Sequence, residues 1–216
     1  MLLNLTPDEL LTTTRTVRKR LDFDRPVARD VIEECLALAT QAPNGSNLQS
    51  WRWVLVDDPD MRVSVARIYR AAMDDHIREL QEGAGQLPKI DYSGEAAQRM
   101  ADAVAHLNKN LHRAPVLLIP TFGGRADGAS VFLQASLWGS ILPAVWSFML
   151  ALRSRGLGSA WTTIHLNREQ EMAELLSIPF EHRTQVGLFP VAYTLGTDFK
   201  PGSRRPVKDV VRWNHW

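Results

Sequence analysis

Apolar and polar positions along this chain come in blocks that predict helices and strands by turns. Val31, Cys35, Leu38 and Ala39 lie along one face of a helix expected over residues 28–40. Upstream, Thr6-Pro7-Asp8-Glu9 combines an N-cap hydroxyl, Pro at the first helical position and Glu three residues after the cap, so a short first helix starts there. The apolar runs at 51–57, 114–120, 159–164 and 185–195 predict strands, with Asn167 capping a helix between the last two. Two polar helical stretches, 61–81 and 93–111, flank a Gly- and Pro-bearing connection at 82–92. Strands dispersed in this way between helices fit an α+β sandwich with a central sheet flanked by helices.

One block stands apart. Residues 128–152 contain no charged side chain, and the run is long enough to cross a bilayer. Gln134, Ser136, Ser140 and Ser147 are spread along it, Gly139 and Pro143 sit near its middle, and no aromatic belt marks its ends. The expectation is therefore a helix buried on nearly every side, partly by a second subunit, and not a membrane span.

Composition narrows the classes. With 216 residues, 45% of them hydrophobic, the chain can bury one sizeable core, and a single domain over 1–216 is expected. A formal net charge of +1 with scattered basic residues gives no footprint for nucleic acid. The lone cysteine, Cys35, excludes an intramolecular disulfide and falls at an apolar helical position, as a buried structural thiol does. The six histidines show no metal-ligand spacing, so no metal is expected. Gly123-Gly124 and Gly156-x-Gly158 lack the glycines of a dinucleotide fingerprint, and no Gly-x-Ser-x-Gly elbow is present. No basic segment followed by an apolar run opens the chain, so a cytoplasmic location is the default expectation.

Two segments carry chemistry. Ala42-Pro43-Asn44-Gly45-Ser46-Asn47-Leu48-Gln49-Ser50-Trp51 places flexible backbone and planar amides between a helix and a strand, a composition suited to the edge of a heterocyclic ring. About thirty residues earlier, Thr14-Arg15-Thr16-Val17-Arg18 sets two guanidinium groups around a hydroxyl, which suits a phosphate.

Together these segments resemble the FMN-dependent nitroreductase family, whose members typically begin with an Arg-Arg-Ser-Val-Arg-like segment and then carry an Ala-Pro-Ser-x-x-Asn-x-Gln-Pro-Trp-like loop. Leu157-Gly158-Ser159-Ala160-Trp161-Thr162-Thr163 resembles the family's loop beside the reactive edge of the flavin. Arg204-Arg205-Pro206-Val207 with Trp216 resembles its closing phosphate-binding tail. The resemblance implies a three-layer α-β-α sandwich with a central, mostly antiparallel sheet and a long central helix. It also implies an intertwined homodimer with FMN at the interface, residues 196–216 embracing the partner and residues 69–111 covering the flavin.

The same resemblance assigns roles. Arg15, Thr16 and Val17 would hold the FMN phosphate end, joined by Arg204 and Arg205. Arg18 would lie near flavin N1 and the C2 carbonyl, where a fixed cation favours the reduced ring. Asn44, Asn47 and Gln49 would contact the ring or ribityl chain, often from the partner subunit. Trp161, Thr162 and Thr163 would lie along the flavin edge, with Thr162 or Thr163 presenting a donor near N5. Flavin N5 carries the chemistry, so no protein nucleophile is expected. Tyr92 is the one aromatic in the connection at 82–92 and would cover the ring toward substrate.

Three positions depart from the family pattern. Thr14 stands where the first of two arginines is common, which removes one phosphate contact; Asn44 replaces a serine and Ser50 a proline. The implied activity is an oxidoreductase moving hydride from NADH or NADPH through FMN, in a ping-pong cycle, to a small electron-poor acceptor such as a nitroaromatic, quinone or activated alkene. A flavin-dependent dehalogenase or flavin-modifying enzyme, and a flavin-binding protein without turnover, are the alternatives.

Overall fold

The computed structural model describes residues 2–82 and 94–216. The order is α1 (Pro7–Thr13), β1 (Leu21–Asp22), α2 (Arg29–Ala39), β2 (Arg52–Val56), α3 (Pro59–Gln81), α4 (Gly94–Asn110), β3 (Val116–Gly123) and α5 (Val131–Ser154), followed by β4 (Leu157–Ser159), α6 (Glu169–Leu176), β5 (Arg183–Gln185), β6 (Phe189–Thr194) and α7 (Val207–Val210). Thr6 and Glu9 form the expected reciprocal cap of α1, each side chain bonding the other residue's backbone N–H.

β3 organises the layers. It pairs antiparallel with β2 on one edge, and with β5 and β6 on the other. β6 in turn pairs antiparallel with β1 and β4. Successive β3 side chains point to opposite faces: Val116, Leu118 and Phe122 enter one core with α2 and α5, while Leu117 and Ile119 enter another with α3 and α6. A strand that is apolar on both faces must be covered on both, and the result is a helix–sheet–helix sandwich. Cys35 lies fully buried in the first core, where loss of hydration raises its thiol pKa to about 11.

Three expectations need correction. The strand placed at 159–164 is only Leu157–Ser159; after it the chain makes a single bridge between Thr162 and Leu188, then a tight helical turn over Ile164–Arg168. That turn runs directly into α6, so Arg168 and not Asn167 occupies the cap position, with no side-chain cap bond. The strand placed at 185–195 is broken into β5 and β6 around Gly187. A Cβ on Gly187 would sit 2.9 Å from the Thr162 carbonyl and 3.1 Å from the Trp161 indole nitrogen, so the break admits the 161–163 segment at backbone contact distance.

α5 is the long uncharged helix expected to be covered partly by a second subunit. Its second half is core, with Ile141, Ala144, Val145 and Phe148 buried against the sheet and α2. Its first turn is bare in the single chain, with Val131 and Phe132 84% and 81% exposed, while Trp138 already packs edge-on against Phe122. The helix is long and apolar enough to cross a membrane, but the apolar content of its second half is spent on this protein's own sheet.

Gly187→Ala should destabilise the fold by about 2 kcal/mol, the range for forcing a methyl into a packed site. A denaturant midpoint unchanged from the parent would show that the 161–163 segment can retreat freely.

Candidate functional site

The first half of the site is built where α1 ends. Thr14 closes the helix in an extended conformation, its hydroxyl donating to the Leu10 carbonyl at 2.6 Å. The next residues run beside β4: the Val17 N–H donates to the Ser159 carbonyl at 2.8 Å, and Thr16 bridges Ser159 in parallel. Val17 turns inward over Gly158, where an added Cβ would lie 3.0 Å from the Val17 methyl. Alternation then sends Thr16 outward and leaves Arg15 and Arg18 half-buried.

From the other end of the chain, Arg204 approaches Arg15 across Gly202. A Cβ on Gly202 would lie within 2.7 Å of both guanidinium groups, so the bare glycine leaves room for the two flexible arginine tips to converge. Among the described residues neither arginine has a carboxylate partner. Two forked cations brought together without an acid make an anion site, and the donor set suits a phosphate. Arg205 is exposed on the same tail.

Trp161–Thr163 follows β4 directly. Trp161 packs on Phe189 with ring centroids 5.2 Å apart. Thr162 is buried and fully engaged: its N–H and hydroxyl both donate to the Leu188 carbonyl, at 3.1 and 2.7 Å, and its carbonyl accepts from Leu188 N–H at 2.8 Å. Tyr69 of α3 is buried against it; burial raises the phenol's pKa, while the Thr162 hydroxyl and the Arg18 charge pull it back. Thr163 is exposed, with no partner for its N–H or hydroxyl among the described residues. Of the two threonines, Thr163 therefore has donors free for a ligand, and Thr162 holds the segment in place.

The second half is the loop after α2. Ser46, Asn47 and Gln49 all have left-handed backbone, with φ of 51°, 53° and 46°. Asn44 Oδ1 accepts from Gln49 N–H at 3.0 Å, Gln49 Nε2 donates to Asn47 Oδ1 at 3.1 Å, and Gly45 N–H donates to Ser140 Oγ of α5 at 2.9 Å. These bonds hold a conformation that non-glycine residues otherwise avoid, and such strain concentrates at binding sites. The Asn that replaces the family's serine thus closes the loop on itself. Between loop and bare helix lies a cleft of about 250 Å³, bordered by Gln49, Trp51, Phe132, Leu133 and Ser136.

The chain brings Arg15, Thr16, Arg18, Trp161, Thr162, Thr163 and Arg204 to one region around β4. It sets Asn44, Asn47 and Gln49 against α5, and among the described residues no hydrogen bond joins the two groups. Tyr92 lies outside the described residues. Sequence reasoning missed a buried network behind the 161–163 segment. Arg125 makes a bidentate pair with Glu169, at 3.1 and 2.8 Å, and Glu169 also accepts from the Gln185 N–H at 2.9 Å. Gln185 Nε2 donates to the Glu169 carbonyl, leaving its Oε1 to accept from His165 Nε2 at 3.2 Å. Nothing in spacing marks these residues, which are up to sixty positions apart.

A family model described as the nitroreductase family matches residues 11–193. Among curated relatives, iodotyrosine deiodinase 1 of Rattus norvegicus is 27% identical over 212 residues, spanning 94% of this chain and 67% of the relative. Iodotyrosine deiodinase of Thermotoga neapolitana is 28% identical over 207 residues, spanning 95% and 96%. Two solved structures share the fold: a BluB-like flavoprotein from Clostridium difficile 630, with TM-score 0.73, 16% identity and coverage of 98% and 100%, and iodotyrosine deiodinase bound to FMN and 3-iodo-L-tyrosine, with TM-score 0.70, 23% identity and coverage of 97% and 99%.

His165 gives this site a pH dependence. Burial lowers its pKa from 6.5 to about 4, so the unfolded chain binds a proton that the folded chain rejects between those values. Stability should fall by up to about 3 kcal/mol as pH drops from 6.5 to 4. His165→Gln should flatten that part of a melting-temperature profile; an unaltered profile would assign the acid sensitivity elsewhere.

Proposed function

The chain belongs to the nitroreductase family, and we propose that it is an FMN-dependent oxidoreductase moving hydride from NADH or NADPH to a small electron-poor acceptor. The observation that carries this reading is the convergence of Arg15 and Arg204, without an acid partner, beside an exposed Thr163 with free donors. FMN, when bound, supplies the redox chemistry at N5. The protein's residues do the rest. Arg15, Thr16 and Arg204 hold the phosphate; Arg18 sets positive charge near the ring, where reduction accumulates negative charge. Thr163 donates toward N5, from a backbone position that Thr162 and Leu188 fix.

The reading also calls for two copies. Asn44, Asn47 and Gln49 sit apart from the arginines within one chain, and the first turn of α5 is apolar and bare. A homodimer that buries this turn would set one chain's loop against the other chain's phosphate site, and the cleft of about 250 Å³ would become the acceptor pocket. In this arrangement residues 1–216 act as one domain, with the described parts of 69–111 toward the ring and 196–216 on the partner.

Reductive dehalogenation is the second reading, favoured by relatives called iodotyrosine deiodinase that match at 27% and 28% identity over nearly the whole chain. The two readings share the flavin site and differ in what lies over it.

The decisive experiment is the visible spectrum of purified protein with identification of any released chromophore, then turnover of a nitroaromatic, a quinone and a halogenated tyrosine. Bound FMN with NAD(P)H-driven reduction of the first two supports the main reading; turnover confined to the halotyrosine supports the second; a colourless protein that cannot be reconstituted refutes both. Thr163→Ala should keep FMN and lose about 10- to 100-fold in kcat, whereas Thr162→Ala should lower the melting temperature through a lost buried hydrogen bond worth about 1 kcal/mol. Equal kinetic losses would contradict the division of labour between them. Phe132→Glu should yield a monomer by light scattering with weakened flavin retention; a stable dimer would exclude α5 from the interface.

A further inference from the structure

Arg153 stands in the last turn of α5, far in sequence from Arg15 and Arg204, and is only 5% exposed. One nitrogen accounts for its protein bonds: Nη2 donates to Thr13 Oγ1 at 3.2 Å and to the Thr197 carbonyl at 3.0 Å. Nε and Nη1 are buried with no partner. Among the described residues it has no carboxylate, and its charged neighbour is another cation, Arg20, which shares the Phe199 ring with it at 4.2 Å to the centroid against 5.0 Å for Arg153. Burial and the Arg20 charge both lower its pKa. Buried guanidinium groups are ordinarily paired, and two orphaned donors on one such group call for an anion.

The place where that anion would sit is defined. Arg153 borders a narrow cleft with Thr14, Arg15, Ser159 and Phe199, with room of about 10 Å³, enough for one water-sized oxygen. Arg15 is the arginine that converges with Arg204, so the cleft adjoins that pair of cations. Thr14, the residue that leaves this site one cation short, forms another wall.

We propose that Arg153 is a third cationic anchor for the flavin's phosphate, taking one phosphate oxygen in the cleft and supplying from the central helix the contact that Thr14 does not. This assignment rests on the flavin reading above. A phosphate is the chemistry recognised, and its source can be FMN or free phosphate.

The test separates phosphate binding from mere structural support by comparing two flavins. Riboflavin has the ring and ribityl chain of FMN without the phosphate. Flavin-free wild type, Arg153→Met and Arg153→Lys would be titrated with FMN and with riboflavin by flavin fluorescence, and their melting temperatures followed with inorganic phosphate. Arg153→Met should bind riboflavin as wild type does and lose FMN affinity by about 10-fold or more, the range for a charge-assisted hydrogen bond. It should also lose the phosphate-dependent rise in melting temperature. Arg153→Lys, which keeps the charge without the fork, should retain part of the FMN preference. If Arg153→Met does not fold, the Lys variant decides. An FMN-to-riboflavin ratio equal to that of wild type in the folded variant overturns the proposal, as does parallel loss of both flavins. Wild type that binds neither flavin overturns the flavin reading itself and this assignment with it.

Discussion

Everything in this molecule depends on a strand that cannot be left uncovered on either face. β3 is apolar on both sides, and its alternation distributes Leu118 and Phe122 to one layer and Leu117 and Ile119 to the other. Burying both sets requires helices above and below, which places α2 and α5 on one side and α3 and α6 on the other. The segment after β4 must then cross the sheet's end between those layers, and this is where the donors gather.

That crossing is held by backbone and small residues. Gly187 breaks what would otherwise be one long strand so that Thr162 can exchange hydrogen bonds with Leu188, and Gly158 lets Val17 lie against β4. In each case a missing Cβ permits a close approach that fixes a neighbouring functional segment. Arg125, Glu169, Gln185 and His165 form a hydrogen-bonded network that ties α6 and β5 to the turn after Thr163, with His165 Nδ1 left unpaired among the described residues.

The central helix divides its labour. Its second half packs on the sheet and carries Arg153 to a cleft it shares with Arg15; its first half offers Ser140 to the strained loop, and its first turn leaves Val131 and Phe132 in solvent. An apolar helix with a bare first turn is shaped for a second surface, which is the physical basis for reading the site as shared between two chains.

Much of this was legible in the residues alone. The capped first helix, the amphipathic α2, the strands at β2 and β3 and the long uncharged helix all follow from local periodicity and cap chemistry, because those interactions act between residues close in sequence. The Arg15–Arg18 segment and the Asn44–Gln49 loop were recognisable by composition, and the Trp161–Thr163 segment by its resemblance to the nitroreductase family. What sequence could not supply was which donors remain free once the chain is folded. That Thr162 is consumed by Leu188 while Thr163 is not, that Asn44 closes its own loop, and that Arg153 is buried without an acid beside Arg15 are consequences of pairings across tens of residues. Local pattern sets which elements form; only their packing decides which polar atoms are already satisfied and which are left for a ligand.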